Sequence, residues 1–446
     1  MEGASGARIP RWSTVDTVVQ KSRLNRAGTG GNEAGDAGKC SLPTRCAGPE
    51  ILGPDCPRWK GLPRTVDNCP PRQSYLIFSK PSIGEKERMK PPFGVIDADG
   101  HINEPEHRLR EYLEGPYAEQ KRFHQFIPNQ QGDVGGSVLA GTNYMDSSLG
   151  GTLGAHGGPD FPTPQEWLDT ADEGNMETIF LFPTTLLGYS AIIDPDYLIA
   201  LTRAYNNYVH QEWLKFNPRF KSVALMPLMD VDESIKEMRR CVTELGYSGV
   251  FVAAVGFGLL GEKRFDPFYA EAEKLGCFVA VHGGHATAES QRYTKFIQRH
   301  TIGFPVSNMM QMMHMTYEGV YEKFPNLRVG YLEGGCTWVP MMLDRMDEEW
   351  EKRGWFEAPI CKKKPSDYIK GGNVYIHAEP GEQLIPAVIE FMGKNRLFYA
   401  SDWPHWDNEY PRNIDHIWGR KDLSEEDKKL ILRDNSLEMY AVKNGT

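Results

Sequence analysis

The chain has 446 residues, of which 40% are hydrophobic and 25% charged, which is the composition of an ordinary globular protein. No uninterrupted apolar run approaches the roughly 18 residues of a membrane-spanning helix, so no membrane segment or membrane partner is predicted. The net charge is -10, and residues 1–88 carry 14 Lys or Arg against 9 Asp or Glu, so the acidity lies in the remainder. An acidic main part argues against a nucleic-acid-binding surface, which needs clustered positive charge.

Residues 1–88 are predicted to form a disordered N-terminal extension. Segments such as AGTGGNEAGDAGK at 27–39 are Gly-rich and have no periodic apolar pattern, so they cannot bury enough surface to offset their ordering entropy. The extension has no apolar segment typical of a secretory signal. None of the eight cysteines forms a CxxC pair, which leaves a zinc knuckle or redox dithiol without support. Free thiols in a reducing, cytoplasmic location are therefore expected.

From residue 93 onward, eight short apolar segments alternate with segments that have helical periodicity. They are FGVIDADGH at 93–101, METIFLFPT at 176–184, FKSVALMPL at 220–228, YSGVFVAA at 247–254, CFVAVHGG at 277–284, LRVGYLEGG at 327–335, NVYIHAEP at 373–380 and RLFYASDWPH at 396–405. This alternation predicts a parallel sheet, and eight strands predict a closed (β/α)8 TIM barrel over residues 89–446. An open doubly wound sheet is the alternative, but no GxGxxG fingerprint follows the first strand.

One long stretch, residues 130–158, interrupts the alternation and is rich in glycine. A loop of this length in a compact domain is usually functional or disordered. The sequence therefore predicts that this insertion is a lid over the mouth of the barrel.

Ionisable residues end four of the predicted strands. In D-A-D-G-H, strand alternation places Asp97, Asp99 and His101 on one face, with the last two nearest the C-terminal end. The other strand-end residues are His282 on the fifth strand, Glu333 on the sixth, and Asp402 and His405 on the eighth. A single His or Asp in such a place is more often a capping or loop residue. Because a barrel gathers its active site at these strand ends, the joint pattern predicts one or two divalent cations, Zn or Fe/Mn.

Four motifs, V-I-D-A-D-G-H, V-H-G-G, F-P-N-L-R-V-G-Y-L-E-G-G and A-S-D-W-P-H-W-D, resemble in order those of the amidohydrolase-related family, in the branch that includes aminocarboxymuconate-semialdehyde decarboxylase. The resemblance runs from about residue 93 to 442. It implies a metal-dependent enzyme with Asp99 and His101 as the first ligand pair and His282 as a further ligand. It also implies that Asp402 binds metal and handles a proton.

The sequence departs from this family at the sixth strand, where the family usually has a histidine and this chain has Glu333. Together with Asp99 in the first ligand position, the extra carboxylate suits a dinuclear site. Glu333 could bridge two cations or act in catalysis, and His314 and His405 would then be candidate ligands of the second cation.

Three enzymatic functions and one non-enzymatic function remain open from the sequence. The leading hypothesis is hydrolysis of a small organic substrate by a metal-activated water, with Asp402 accepting and returning the proton. The second is non-oxidative decarboxylation of an unsaturated or aromatic acid. The third is oxygen activation at a dinuclear Fe or Mn/Fe centre, and the last is a binding protein with a dead site.

All three enzymatic hypotheses require a small-molecule substrate, which His377 and Trp403 are expected to contact at the barrel mouth. A homodimer is expected only because it is the commonest oligomer of soluble proteins.

Overall fold

The computed structural model describes residues 90–119, 162–284, 287, 289–293, 295–405 and 407–441. The predicted extension at 1–88 and the predicted lid at 130–158 lie outside these residues, so both stay predictions.

Eight parallel strands form one sheet in which each strand pairs with the next along the chain. They are β1 (Val95–Ile102), β2 (Met176–Pro183), β3 (Phe220–Leu225), β4 (Gly249–Ala253), β5 (Phe278–His282), β6 (Arg328–Leu332), β7 (Val374–His377) and β8 (Leu397–Phe398). The segment after β8 returns to β1, where the His101 N–H donates to the Trp403 carbonyl at 2.8 Å and the Asp402 N–H donates to the Asp99 carbonyl at 3.1 Å. This nearly closed ring confirms the TIM barrel and excludes the open sheet.

Helices connect the strands in the described part of the chain. They are α1 (Glu106–Glu111), α2 (Pro116–Glu119), α3 (Pro164–Glu173), α4 (Pro195–Val209), α5 (Val231–Glu244), α6 (Asp266–Leu275), α7 (Phe296–Tyr317), α8 (Val320–Lys323), α9 (Val339–Glu357), α10 (Pro365–Gly371), α11 (Ile385–Met392), α12 (Arg412–Trp418), α13 (Glu425–Lys429) and α14 (Asn435–Met439). None of them is long and apolar enough to cross a bilayer.

Local sequence signals account for where several helices begin and end. Asp194 precedes α4 and accepts the backbone N–H groups of Asp196 and Tyr197, which the first turn of a helix otherwise leaves unpaired. Asp230 caps α5 in the same way. Gly276 ends α6 with a φ of 62°, in the left-handed region where glycine carries no steric cost. All three helices lie in the segments of helical periodicity that separate the predicted strands.

The ring of Tyr440, which follows α14, seals the interior of the barrel near the N-terminal ends of the strands. It stacks on Phe180 with ring centroids 3.5 Å apart and meets the edge of Phe278 at 4.7 Å. Its hydroxyl donates a hydrogen bond to the Ala98 carbonyl at 2.8 Å. Because all these groups are fully or almost fully buried, the C-terminal segment is part of the core.

We expect Tyr440→Ala to lower the free energy of unfolding by about 3–5 kcal/mol, the usual cost of deleting a buried aromatic ring. Tyr440→Phe keeps the ring and removes only the hydroxyl hydrogen bond, so it should cost about 1 kcal/mol. Urea unfolding followed by tryptophan fluorescence measures both values. A Tyr440→Ala variant within about 0.5 kcal/mol of the wild type would show that the ring does not support the barrel.

Candidate metal site at the barrel mouth

Side chains from the ends of four strands contact one another in a continuous cluster at the C-terminal mouth of the barrel. His101 Nε2 lies 3.3 Å from Asp99 Oδ1 and 3.2 Å from Asp402 Oδ1. His282 Nε2 lies 3.6 Å from Asp99 Oδ2 and 2.9 Å from Glu333 Oε2. The structure therefore brings together five of the residues singled out from the sequence, on β1 and β5 and just after β6 and β8.

Both histidines present the nitrogen that a cation can use. His101 Nδ1 is 2.8 Å from the Pro183 carbonyl, and His282 Nδ1 is 2.9 Å from the Gly283 carbonyl. Because a carbonyl oxygen only accepts, each Nδ1 carries the proton, and the Nε2 lone pairs point at the shared centre. Burial lowers the pKa of His101 to about 3 and also lowers the pKa of His282, so both rings are neutral at neutral pH.

The atoms that face this centre have no hydrogen-bond partner among the described residues. They are Asp99 Oδ1, His101 Nε2, His282 Nε2 and Glu333 Oε2. Leaving buried polar atoms unpaired is costly, and burial raises the pKa of both Asp99 and Glu333 well above the usual range. Two neutral imidazoles and three carboxylates form a donor set that fits a divalent cation and would be satisfied by one.

Glu333 and Asp402, which follow β6 and β8, have an unusual backbone conformation. Glu333 has a φ of 53° and Asp402 a φ of 55°, both in the left-handed region that residues with a Cβ seldom adopt. Strain of this kind costs about 1–3 kcal/mol per residue and is kept where the surrounding structure enforces it. Here it turns two carboxylates inward at the point where β6 and β8 have ended.

Asp97 does not share the face of Asp99 and His101, contrary to the strict alternation expected for β1. Asp97 pairs with Ile179 of β2 and Gly100 pairs with Leu181, so three residue steps along β1 correspond to two along β2. This irregularity is a β-bulge. A Cβ on Gly100 would lie only 2.6 Å from Asp97 Oδ2 and 2.9 Å from the ring of Trp167 on α3. The Asp97 carboxylate therefore lies on the side of β1 that faces α3. Asp97 instead accepts hydrogen bonds from the Ser401 N–H at 2.8 Å and the Ser401 hydroxyl at 2.7 Å.

The bond between Asp97 and Ser401 fixes the segment that carries Asp402. The Trp403 N–H donates to the Ser401 hydroxyl at 3.1 Å, so Ser401 joins β1 to the residues on either side of Asp402. Burial raises the pKa of Asp97 to about 6, although the hydrogen bonds from Ser401 act to lower it. Asp97 and Ser401 thus position a site residue without facing the centre themselves.

His405 lies beside Asp402 and forms a second ligand group with it. His405 Nδ1 is 2.6 Å from Asp402 Oδ1, and His405 Nε2 is 3.0 Å from the Thr184 hydroxyl. The donor atoms of His101, Asp402 and His405 lie within 4.8 Å of one another, as do those of Asp99, His101 and His282. Burial acts to lower the pKa of His405, but the charge of Asp402 and their hydrogen bond raise it to about 9.

Glycines after β5 and β6 let helix α7 cross the mouth at close range. A Cβ on Gly334 would lie 2.5 Å from Asn308 Nδ2, and a Cβ on Gly283 would lie 2.9 Å from the Phe304 ring. Asn308 also donates to the Leu332 carbonyl at 2.8 Å. The Gly pairs in V-H-G-G and L-E-G-G therefore serve the packing of α7 over the site.

A cavity of about 430 Å³ opens over the site. The described residues that line it are His300, Thr301, Phe304, Pro305, Glu333, Gly334, Gly335, Glu379, Pro380, Gly381, Glu382, Ala400, Ser401, Asp402, Asp407, Asn408, Glu409, Asn413 and His416. Two of the cation-facing carboxylates, Glu333 and Asp402, belong to its wall, so a small molecule in the cavity would reach the centre.

Three other residues predicted for the site take different places. His314 lies on α7 and its Nδ1 accepts the Gly261 N–H at 3.1 Å, so the structure does not bring it to the ligand cluster. Trp403 packs edge-on against Trp167 at 4.7 Å and is not among the described cavity residues. His377 ends β7 and is only 1% exposed, with neither ring nitrogen hydrogen-bonded in the described part of the chain.

A family model described as Amidohydrolase matches residues 96–442. The chain belongs to the amidohydrolase family. This assignment agrees with the barrel and with the resemblance drawn from the four motifs.

Relatives of this chain among characterised proteins include two decarboxylases. It is 27% identical over 297 residues to a gamma-resorcylate decarboxylase of Rhodococcus jostii (strain RHA1), an alignment covering 61% of this chain and 86% of the relative. It is 25% identical over 274 residues to a 2-amino-3-carboxymuconate-6-semialdehyde decarboxylase of Dictyostelium discoideum, covering 61% of this chain and 74% of the relative.

A solved structure, dihydroxybenzoic acid decarboxylase from Polaromonas sp. JS666 with bound manganese and the inhibitor 2-nitroresorcinol, matches with a TM-score of 0.58 and 19% identity. The match covers 78% of this chain and 97% of that chain. At this identity the comparison shows a shared fold.

The residues that support the ligands were not predicted from the sequence. Thr184 directly follows β2, and Ser401 directly precedes Asp402. A hydroxyl residue at a strand end is a weak signal by itself. Thr184 is 221 residues away from its partner His405, so no local pattern could have joined them.

Proposed function

We propose that this member of the amidohydrolase family is a metal-dependent, non-oxidative decarboxylase of a small aromatic or unsaturated carboxylic acid. The observation that carries the proposal is the cluster of unpartnered donor atoms at the barrel mouth, beside Asp402, which lines a cavity of about 430 Å³. Its 27% and 25% identical relatives are both named decarboxylases, which favours this reaction over the hydrolysis ranked first from the sequence.

The proposed ligands of the cation are Asp99, His101, His282, Glu333 and Asp402. Manganese is bound in the Polaromonas structure, which supports Mn²⁺ or a cation of similar chemistry here. When bound, the cation would hold the substrate carboxylate and neutralise its charge. The additional catalytic role predicted for Glu333 stays a prediction, since its carboxylate lies 2.9 Å from His282 Nε2 on the ligand side of the site.

Asp402 and His405 would deliver the proton that replaces the carboxyl group. A proton passes from His405 Nδ1 through Asp402 Oδ1 to the substrate carbon that bears the carboxylate. The bond between this carbon and the carboxylate then breaks, its electron pair returns to the substrate, and carbon dioxide leaves. The raised pKa of His405 keeps this imidazole protonated at neutral pH, and the Thr184 hydroxyl holds the ring in place.

Two aromatic rings beside the proposed ligands would favour conversion of the charged substrate carboxylate into neutral carbon dioxide. The ring of Phe182 lies 6.1 Å from both His101 and His282, and the ring of Phe251 lies 5.5 Å from His282. Both phenylalanines are fully buried, so this side of the centre excludes water. An apolar wall on this side disfavours the charged carboxylate relative to neutral carbon dioxide.

We expect Mn²⁺-loaded protein to release carbon dioxide from at least one member of a panel of hydroxybenzoic acids that includes 2,6-dihydroxybenzoate. Carbon dioxide capture and chromatography of the phenol product measure this, with chelated protein as the control. A parallel panel of esters, amides and lactones should show no metal-dependent turnover. Hydrolysis of that panel without carbon dioxide release from any acid would contradict the proposal and restore the hydrolase hypothesis.

A second cation has one observation in its favour, the ligand group of His101, Asp402 and His405. The oxygen-activating function weighed from the sequence depends on such a dinuclear centre, so it stays a prediction that elemental analysis of the purified protein can test.

A further inference from the structure

A short segment at the end of β2, residues 183–185, supports two imidazoles of the site. The Pro183 carbonyl lies 2.8 Å from His101 Nδ1, and the Thr184 hydroxyl lies 3.0 Å from His405 Nε2. The rings of His101 and His405 pack on each other with centroids 3.9 Å apart. Whatever fixes this segment therefore also fixes the proposed proton donor.

Strand pairing holds the first part of this segment and ends at Thr184. Ile102 of β1 pairs with Pro183, and the Thr184 N–H donates to the Ile102 carbonyl at 3.1 Å. Thr184 itself has left the extended conformation, with a φ of -106° and a ψ of -59°. The ladder between β1 and β2 thus fixes the Pro183 carbonyl, but it does not fix the turn that directs the Thr184 hydroxyl.

Glu104 is a buried residue whose carboxylate holds this turn. Glu104 Oε2 accepts the Thr185 N–H at 2.8 Å and the Thr184 N–H at 3.2 Å, and the Thr185 hydroxyl donates to the Glu104 backbone carbonyl at 3.2 Å. Glu104 is 1% exposed, and its Oε1 has no hydrogen-bond partner among the described residues. The carboxylate is therefore used on the turn that carries Thr184.

The burial of this carboxyl group is unfavourable by itself. Burial raises the pKa of Glu104 to about 7, although hydrogen bonds that include those from Thr184 and Thr185 act to lower it. Ionisable groups perturbed in this way cluster at functional sites. Glu104 also follows the proposed ligand His101 by three residues, at the mouth of the barrel.

We propose that Glu104 is a positioning residue of the reaction, which acts through Thr184 to hold the His405 imidazole against Asp402. This inference rests on the proposed function, in which His405 supplies the proton. Glu104 fixes the backbone of the turn, and the turn directs the Thr184 hydroxyl toward Nε2. His405 Nδ1 then stays 2.6 Å from Asp402 Oδ1. A displacement of about 1 Å in a reacting group can lower a rate about 100-fold.

Variants that break or keep each link test this inference. Glu104→Met keeps the length of the side chain but cannot accept a hydrogen bond, and Thr184→Val removes the hydroxyl. Each should lower kcat by about 10- to 100-fold and leave KM and Mn²⁺ content unchanged. Because both act on one imidazole, the double variant should be no slower than Thr184→Val alone. Glu104→Gln keeps an oxygen that can accept both N–H groups, so it should retain the wild-type kcat.

Glu271→Met is the matched control, because Glu271 is also a buried carboxylate but lies on α6 and accepts two hydrogen bonds from Arg239 at 2.8 Å. This control should lower the free energy of unfolding in urea without changing kcat. If Glu104→Met behaved in the same way, its role would be structural only. Effects of Glu104→Met and Thr184→Val that multiplied in the double variant would also overturn the inference, because they would show independent roles.

A measurement without turnover separates this inference from the proposed function. In full-length protein with ¹⁵N-labelled histidine, loaded with Zn²⁺ because paramagnetic Mn²⁺ broadens nearby signals, the ring resonances of His405 are assigned by their loss in His405→Gln. They should shift in Glu104→Met and in Thr184→Val, and stay in place in Glu104→Gln and Glu271→Met. Shifted resonances in a protein that releases no carbon dioxide would count against only the decarboxylase. Carbon dioxide release with unmoved resonances in Glu104→Met would overturn only the inference.

Discussion

Asp402→Asn is expected to lower kcat for decarboxylation by about 10³- to 10⁴-fold, at the upper end of what a positioned acid or base contributes. Asparagine keeps an oxygen that a cation can use, but it cannot pass a proton from His405 Nδ1, which lies 2.6 Å from Asp402 Oδ1. Asp402→Ala removes the oxygen as well, so it should lower both turnover and metal content. Steady-state kinetics and elemental analysis of each variant measure the two effects separately.

Asp169→Asn makes the same chemical change on the surface of α3, where Asp169 accepts a hydrogen bond from Gln165 at 2.8 Å. This control should keep wild-type turnover and metal content. If Asp402→Asn retained more than about a tenth of the wild-type kcat, proton delivery would have to come from another group.

The barrel and the ligand cluster were predictable because both follow from short stretches of sequence. Each of the eight apolar segments was long enough for one strand, and four of them ended in His, Asp or Glu. Parallel strands in a barrel place all C-terminal ends on one face, so strand-end residues far apart in sequence meet. His282 and Asp402 are 120 positions apart, yet the prediction that they approach the same centre needed only their places at strand ends.

The placement of other residues depends on tertiary structure that local pattern does not encode. The bulge in β1 places Asp97 on a different face from Asp99. The bulge arises from the pairing of β1 with β2, which begins 79 positions after Asp97. His314 lies on α7, and the side of that helix that faces the barrel is decided by packing against the Gly283 and Gly334 backbone. Trp403 is held by Trp167 of a helix more than 200 positions earlier.

The reaction was harder to predict than the metal site because the ligand motifs are common to several chemistries. The same donors can activate a water or hold a carboxylate, so the hydrolase and decarboxylase hypotheses used identical residues. The cavity wall, which includes Glu379 and Asp407, was not predicted from the sequence. These residues follow β7 and β8 in segments without regular structure, where side-chain direction cannot be read from periodicity.

His282→Ala is expected to weaken divalent metal binding by at least about 100-fold, since even residues that only support a ligand contribute about 10- to 100-fold. The variant removes one of the two neutral Nε2 donors and leaves Asp99 and Glu333 buried without their imidazole neighbour. At a Mn²⁺ concentration about 1,000 times the wild-type Kd, binding adds about 4 kcal/mol to the free energy of unfolding. A 100-fold weaker site would add only about 1.4 kcal/mol at the same concentration.

Urea unfolding with and without Mn²⁺ measures this difference, and His314→Ala is the matched control because its imidazole bonds the Gly261 backbone away from the cluster. The control can lower stability overall, but its gain on adding Mn²⁺ should equal that of the wild type. A His282→Ala protein with the full Mn²⁺-dependent gain would place the cation elsewhere. A loss of the gain in His314→Ala would instead make α7 part of the metal site.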